Sequence, residues 1–181
     1  RARAAAAQRL AAAEALPAAL LREVFDGPQA SGWETHVLGD LVRTPLRTGI
    51  SKPGRPESDK RCLTLSAVRG RTLLLDASKP AEVSDADAEG AWLRPGCFYV
   101  VRGNGNRELV GRGAFAPDPM PRPVLFPDLL FQIDLGERVD PSFFWCLWTS
   151  ATVRREIEER ARTAAGIYKI NTGNLNTLPL R

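Results

Sequence analysis

The segment that most narrows the fold comes first: residues 1–26, an alanine-rich run with leucines at helical spacing. Alanine is the best helix former. Leu16, Leu20 and Val24 recur at i, i+4 and i+8, and Leu21 and Phe25 widen that stripe. The pattern predicts one helix, kinked or restarted at Pro17, which lacks an amide donor, and ended by Gly27-Pro28. Such a helix is about 37 Å long and would overhang a small domain. Two readings stay open for its stripe: it packs on its own domain, or it is half of a pair seeking another helix. The sequence starts inside the helical pattern and without Met, as a fragment would.

From Trp33 onward the pattern is of short β-branched or apolar runs bounded by Gly, Pro or Asp. Strands are expected at Glu34–Val42, Cys62–Val68, Thr72–Asp76, Cys97–Arg102, Glu108–Arg112 and Val124–Leu135. The acidic stretch Ala81–Glu89 reads as a solvated loop or short helix. No βαβ alternation appears, so a doubly wound nucleotide fold is disfavoured. A helical block follows, with Asp140 as N-cap, Pro141 at the first helical position and a break near Thr149-Ser150. Phe144, Leu147, Trp148 and Ala151 share one face. Glu156 with Arg160 and Glu158 with Arg162 are i, i+4 pairs. Gly166 should close the block, and short strands return around Asn171–Asn174. The expected class is α+β: a mixed, β-rich globular domain (33–181) with a few packed helices, and a protruding N-terminal helix (1–27).

Composition excludes several chemistries. The 181 residues carry 25 Lys+Arg against 21 Asp+Glu, a net +4 that permits a polyanion partner without demanding one. Three separated cysteines and one histidine, His36, supply too few ligands for a zinc site and too few partners for a Cys-His dyad. An odd cysteine count with no C-x-x-C fits a reducing cytoplasm. No apolar run approaches the ~20 residues that span a bilayer.

Two segments could carry function. Within Arg43–Arg61 stand six cations (Arg43, Arg47, Lys52, Arg55, Lys60 and Arg61) and two acids (Glu57 and Asp59), giving the stretch the same +4 as the whole chain. Its glycines and prolines make it a loop. With the Thr48 and Ser51 hydroxyls it suits phosphate and base-edge contacts; an ordinary solvated loop is the alternative. The second segment, RGNGNRELVGRG (102–113), lacks the third glycine and the following helix of a dinucleotide loop. It reads as a hairpin with Gly103 and Gly105 at positive φ. Arg102, Asn104, Asn106 and Arg107 either brace this turn or meet DNA, where Asn pairs with adenine and Arg with guanine.

The order of segments is more specific than any one of them: LPAALLREVFDG, GDLVRTPLRTGISKP, LRPGCFYVVRGNGNRELVGR, FFWCLWTSATVRREI and KINTGNLNTLPL. Together they resemble one target-recognition domain of a type I restriction-modification specificity subunit, with the end of its spacer helix in front. The family often carries Gly-Asp where this chain has Gly96-Cys97. It usually has two such domains and two long helices, and this chain resembles the second half without the closing helix.

The resemblance implies a non-catalytic DNA-recognition subunit in the cytoplasm. Its implied partners are double-stranded DNA, methyltransferase (modification) subunits and, in the full complex, the restriction subunit. Leu16, Leu20 and Val24 would pair with the missing half or a second copy. No cofactor is expected on this chain; S-adenosylmethionine would be bound by the partner subunits only. Lys169 and Asn171 join the DNA-binding candidates. Two rivals remain. One is a carboxylate enzyme using Asp128, Asp134 or Glu108, which nothing pairs in the sequence. The other is a protein-interaction module with a partner-binding helix and no nucleic-acid role.

Overall fold

The computed structural model describes residues 2–51, 58–164 and 166–181. The elements run in the order α1 (Ala2–Phe25), β1 (His36–Val37), α2 (Leu38–Leu41), β2 (Arg47–Thr48), β3 (Arg61–Leu63), β4 (Ser78–Pro80) and α3 (Asp85–Ala88). Then come β5 (Phe98–Val101), β6 (Gly103–Asn104), β7 (Gly113–Phe115), β8 (Leu130–Ile133), α4 (Pro141–Trp148) and α5 (Ala151–Arg160). The chain closes with β9 (Arg162–Ala164), β10 (Ile167–Lys169), α6 (Thr172–Asn176) and β11 (Pro179–Leu180). The class is α+β.

The centre is an antiparallel sheet in the order β2-β8-β5-β7. Every residue of β5 and β8 is buried, so both faces of these strands must be covered. Alternation sorts the side chains. Phe98, Val100, Phe131 and Ile133 join one apolar cluster with Phe144, Leu147, Trp148, Val153 and Ile157 of α4 and α5. Tyr99, Val101 and Leu130 join a second cluster with Leu63, Leu73, Val124 and Phe126, which come from β3 and from irregular segments. Phe98 anchors the helical side, with ring centroids 5.2 Å from Phe144 and 5.4 Å from Trp148. The Trp148 indole N–H donates to the Gly111 carbonyl at 2.8 Å.

The caps behave as the side chains dictate. Asp140 accepts from the Phe143 amide and Ser150 from the Val153 amide, so α4 ends and α5 begins at the expected break. Helix α1 passes through Pro17 as one helix. Its side chains from 3 to 20 are exposed. It meets the domain at Phe25, which packs edge-on against Phe143 at 5.6 Å and Trp33 at 5.9 Å. Leu16, Leu20 and Val24 are 55%, 51% and 44% exposed.

Several expectations fail, and the cause is a missing or different strand partner. In Glu34–Val42 only His36–Val37 form a strand, against β11; Leu38–Leu41 then turn helically to bury Leu38, and Val42 makes one isolated bridge, to Leu135. Cys62–Val68 is strand only to Leu63, because Leu65–Ala67 form a 3-10 turn. Thr72–Asp76 makes one isolated bridge, Thr72 to Phe115. Glu108–Arg112 is not a strand: Arg107–Leu109 form a 3-10 turn and pairing begins at Gly113. Val124–Leu135 pairs continuously only over Leu130–Ile133. The Asn171–Asn174 region is the short helix α6, capped by Asn171. Arg162 sits in β9, and Glu158 pairs instead with Arg154. Gly166, at φ +76°, lies between β9 and β10 rather than at a helix end.

Gly103 and Gly105 are not among the positive-φ glycines, so the 102–112 segment is not the tight turn expected. It leaves β5, pairs with β10 through β6, and returns to β7. Gly103 is needed for close approach instead: a Cβ there would lie 2.9 Å from Lys169 Cγ.

A Cβ on Gly113 would fall 2.2 Å from Phe98 Cζ, whereas one on Gly105 would meet nothing within 4 Å. Gly113→Ala should therefore lose about 1–3 kcal/mol through overpacking, and Gly105→Ala should stay within about 0.5 kcal/mol of wild type. Chemical denaturation of the two variants checks the contrast.

Candidate nucleic-acid interface

One end of the central sheet gathers several expected residues. Strand β2 ends at Thr48, paired with Phe131. The chain then bridges Ile50 to Pro127, and the Asp128 amide donates to the Ile50 carbonyl at 2.9 Å. At the same end β5 stops, the Arg102 amide donates to Leu129, and the Ile170 amide donates to Arg102. Register sets Lys169 opposite both Gly103 and Arg162, and Asn104 opposite Tyr168. Thr48, Ser51, Arg102, Asn104 and Lys169 thus share this end, where the basic loop departs. Lys52 and Arg55 lie outside the described residues.

Other candidates are elsewhere. Arg43 is at the opposite end, where its amide donates to Asp134 and its Nη1 lies 3.7 Å from Asp134 Oδ1. Arg94 reaches the other oxygen of the same carboxylate, also at 3.7 Å. The side chains of Arg47, Lys60 and Arg61 are engaged within the fold. Arg47 Nη2 donates to the Gly90 carbonyl at 2.9 Å. Lys60 Nζ lies 2.9 Å from Asp85 Oδ1, and that hydrogen bond raises its pKa. Arg61 Nε donates to Ser78 Oγ at 3.0 Å.

The asparagines are local braces. Asn104 Oδ1 accepts from the Asn106 amide at 2.9 Å, and Asn106 Oδ1 accepts from the Glu108 amide at 2.9 Å. Asn171 Oδ1 accepts from the Asn174 amide at 2.8 Å. Arg107 Nε donates to the Glu158 carbonyl at 3.1 Å. Arg102 lies half-buried, its guanidinium 5.5 Å from the Phe131 ring centroid and its Nη1 3.4 Å from the Asp128 carbonyl. Lys169 is exposed and has no side-chain partner among the described residues. Sequence reasoning missed Arg162, exposed beside Lys169, because it was read as a helical ion-pair residue.

Nucleophilic sulfur is suppressed in the core. Burial pushes the Cys62 and Cys97 thiols up to about 11. Burial likewise pushes up the Tyr99 phenol, which donates to Gln132 Oε1 and accepts from the Arg94 amide. Asp128, Asp134 and Glu108 do not form a carboxylate pair: Asp134 serves two arginines, and Asp128 and Glu108 act through backbone groups. Among the described residues, no group of three or more His, Cys, Asp or Glu could hold a metal ion. No helix is long and apolar enough to cross a membrane among them.

No protein-family model and no curated protein sequence matches the chain. Solved structures do. A chain from a structure of the assembly and conformational transition of the type I R-M system matches over 99% of this chain, with a TM-score of 0.64 and 16% identity. The HsdS subunit of Thermoanaerobacter tengcongensis matches over 98%, with a TM-score of 0.56 and 17% identity. The chain shares the fold of the part of these proteins that it covers. The chain spans 42% of the length of each of these proteins. The agreement includes α1 and the whole mixed domain, so the fold expected from the order of segments is the one observed.

The asparagine caps and the free lysine should respond oppositely to truncation. Asn106→Ala should lose about 0.5–2 kcal/mol, the usual effect of removing a cap. Lys169→Ala should change stability by less than about 0.5 kcal/mol. Thermal melting separates them.

Proposed function

We propose that this chain recognises double-stranded DNA in a sequence-specific way, as a non-catalytic specificity subunit or half-subunit of a type I restriction-modification system. One juxtaposition carries the reading. The loop that concentrates the chain's positive charge leaves the sheet at the same end as Lys169, Arg162 and the 102–107 segment. The HsdS-like fold supports it. Arg43 stands apart from that end, beside Asp134.

In this reading residues 33–181 are the recognition domain and residues 1–27 the docking helix. The exposed Leu10, Leu16, Leu20 and Val24 face supports pairing with the missing half or a second copy, and docking of modification subunits and, through them, the restriction subunit. S-adenosylmethionine belongs to the modification subunits, and the complex acts in the cytoplasm. That same exposed face is also what a protein-interaction module without nucleic-acid function would present, and DNA binding separates the two.

The test is binding of a random-sequence duplex as a function of salt. Changing Lys52 and Arg55 together to Ala removes up to two phosphate contacts. The slope of log K against log salt should flatten by about 1–2 units, each contact contributing roughly 0.9. An unchanged slope would turn the loop away from DNA. Wild-type protein that binds no duplex would leave the interaction-module reading in its place.

A further inference from the structure

A groove continues from the candidate interface across a further part of the surface. Its first section, of about 470 Å³, is lined by Asn104, Leu65, Ser66 and Leu109 together with Arg69 and Arg112. Its second, of about 560 Å³, shares Val68, Arg69 and Arg112 with the first and adds Arg154, Glu108, Glu158 and Trp145. The shared walls make them one groove, open to solvent, that starts beside Asn104.

Its charges are unevenly satisfied. Arg154 is spoken for: Nη2 donates to the Glu108 carbonyl at 3.1 Å and lies 3.4 Å from Glu158 Oε1. Arg69 and Arg112 are exposed, and neither side chain has a hydrogen-bond or ion-pair partner among the described residues. They come from two different loops, one after the Leu65–Ala67 turn and one before β7. Three guanidiniums against two carboxylates leave the walls net positive. Burial lowers the Arg154 pKa, Arg112 adds to that by like-charge repulsion, and Glu158 opposes it.

Buried donors point the same way. Among the described residues, Arg102 Nε, Trp145 Nε1 and Arg154 Nη1 are buried without a partner. Two of the three belong to residues lining this groove. Buried donors are almost always paired, so this part of the fold holds more hydrogen-bond donors than its own acceptors satisfy. An anion in the groove reaches the exposed Arg69 and Arg112 guanidiniums rather than these buried nitrogens. Guanidinium forks match phosphate oxygens in particular.

We propose that this groove is a backbone-phosphate track, extending the DNA interface from Asn104 past Arg69 and Arg112 towards Arg154. The proposal rests on the DNA-recognition reading above. Arg69 and Arg112 make the contacts, and the more buried Arg154 adds positive potential from below.

The experiment compares salt slopes for the full 181-residue chain on a random-sequence duplex. The variants are Arg69→Gln, Arg112→Gln, the double variant and a charge-matched control, Arg138→Gln. Arg138 is exposed and lines a different cleft with Trp33 and His36. Each groove substitution should flatten the slope by about 0.9, and the double variant by about 1.8. The control should keep the wild-type slope. Groove variants that match a DNA-binding wild type would overturn the track and leave DNA recognition standing. A control that flattens the slope as much would also overturn it, because the effect would then be general charge. Wild-type protein that binds no duplex at any salt would overturn the reading and the track together.

Discussion

The constraint on which this structure depends is that strands β5 and β8 have no face to give to water. Phe98 and Val100 look one way, Tyr99 and Val101 the other, and all four are at most 2% exposed. Helices α4 and α5 cover the first face, and largely irregular chain covers the second. Burying each large apolar side chain contributes about 1.5–3 kcal/mol. The surface ion pairs offer far less: Arg43 and Arg94, each about half exposed, share Asp134 at 3.7 Å, and such pairs contribute about 0–1 kcal/mol. The double-sided sheet, not these ion pairs, holds the domain together.

The same sheet decides where charge accumulates. Antiparallel register brings the end of β2, the end of β5 and the start of β8 to one side, so Thr48, Arg102 and the Asp128 turn meet there. The three-stranded sheet β6-β10-β9 grows from that end through the Arg102–Ile170 backbone bond. Arg43, only eight residues before Ser51, is carried to the other end because β2 lies between them. A basic segment that looks continuous in sequence is therefore split by one short strand.

What was legible in the sequence was whatever depends on neighbours along the chain. Helix α1 with its Gly27-Pro28 stop, the Asp140 cap, the break near Thr149-Ser150 and the apolar β5 were all readable from spacing and cap chemistry. The short strands were not, because a two- or three-residue strand exists only where a distant partner meets it. Thr72–Asp76 has the composition of a strand and no ladder, and β9 and β10 look like nothing in particular yet pair through six residues. Gly103 was assigned to the wrong physical cause, since close approach and positive φ leave the same mark in a sequence. For the site, the cationic loop was visible. The groove past Arg69 and Arg112 was not, because Arg69 and Arg112 lie 43 residues apart and their segments meet through the bridge of Thr72 to Phe115.

The asparagines show how a structural role limits a recognition role. A bidentate adenine contact needs both the amide oxygen and the amide nitrogen of one side chain. In Asn104 the oxygen already takes the Asn106 amide, and in Asn106 it takes the Glu108 amide. Surrendering such a bond costs about 0.5–1.5 kcal/mol, against about 1–3 kcal/mol of discrimination from a good bidentate pair. The exchange removes about half of the discrimination. Lys169 and Arg162, exposed and without a side-chain partner among the described residues, carry no such penalty. The 102–107 segment is held in place by its own asparagine bonds.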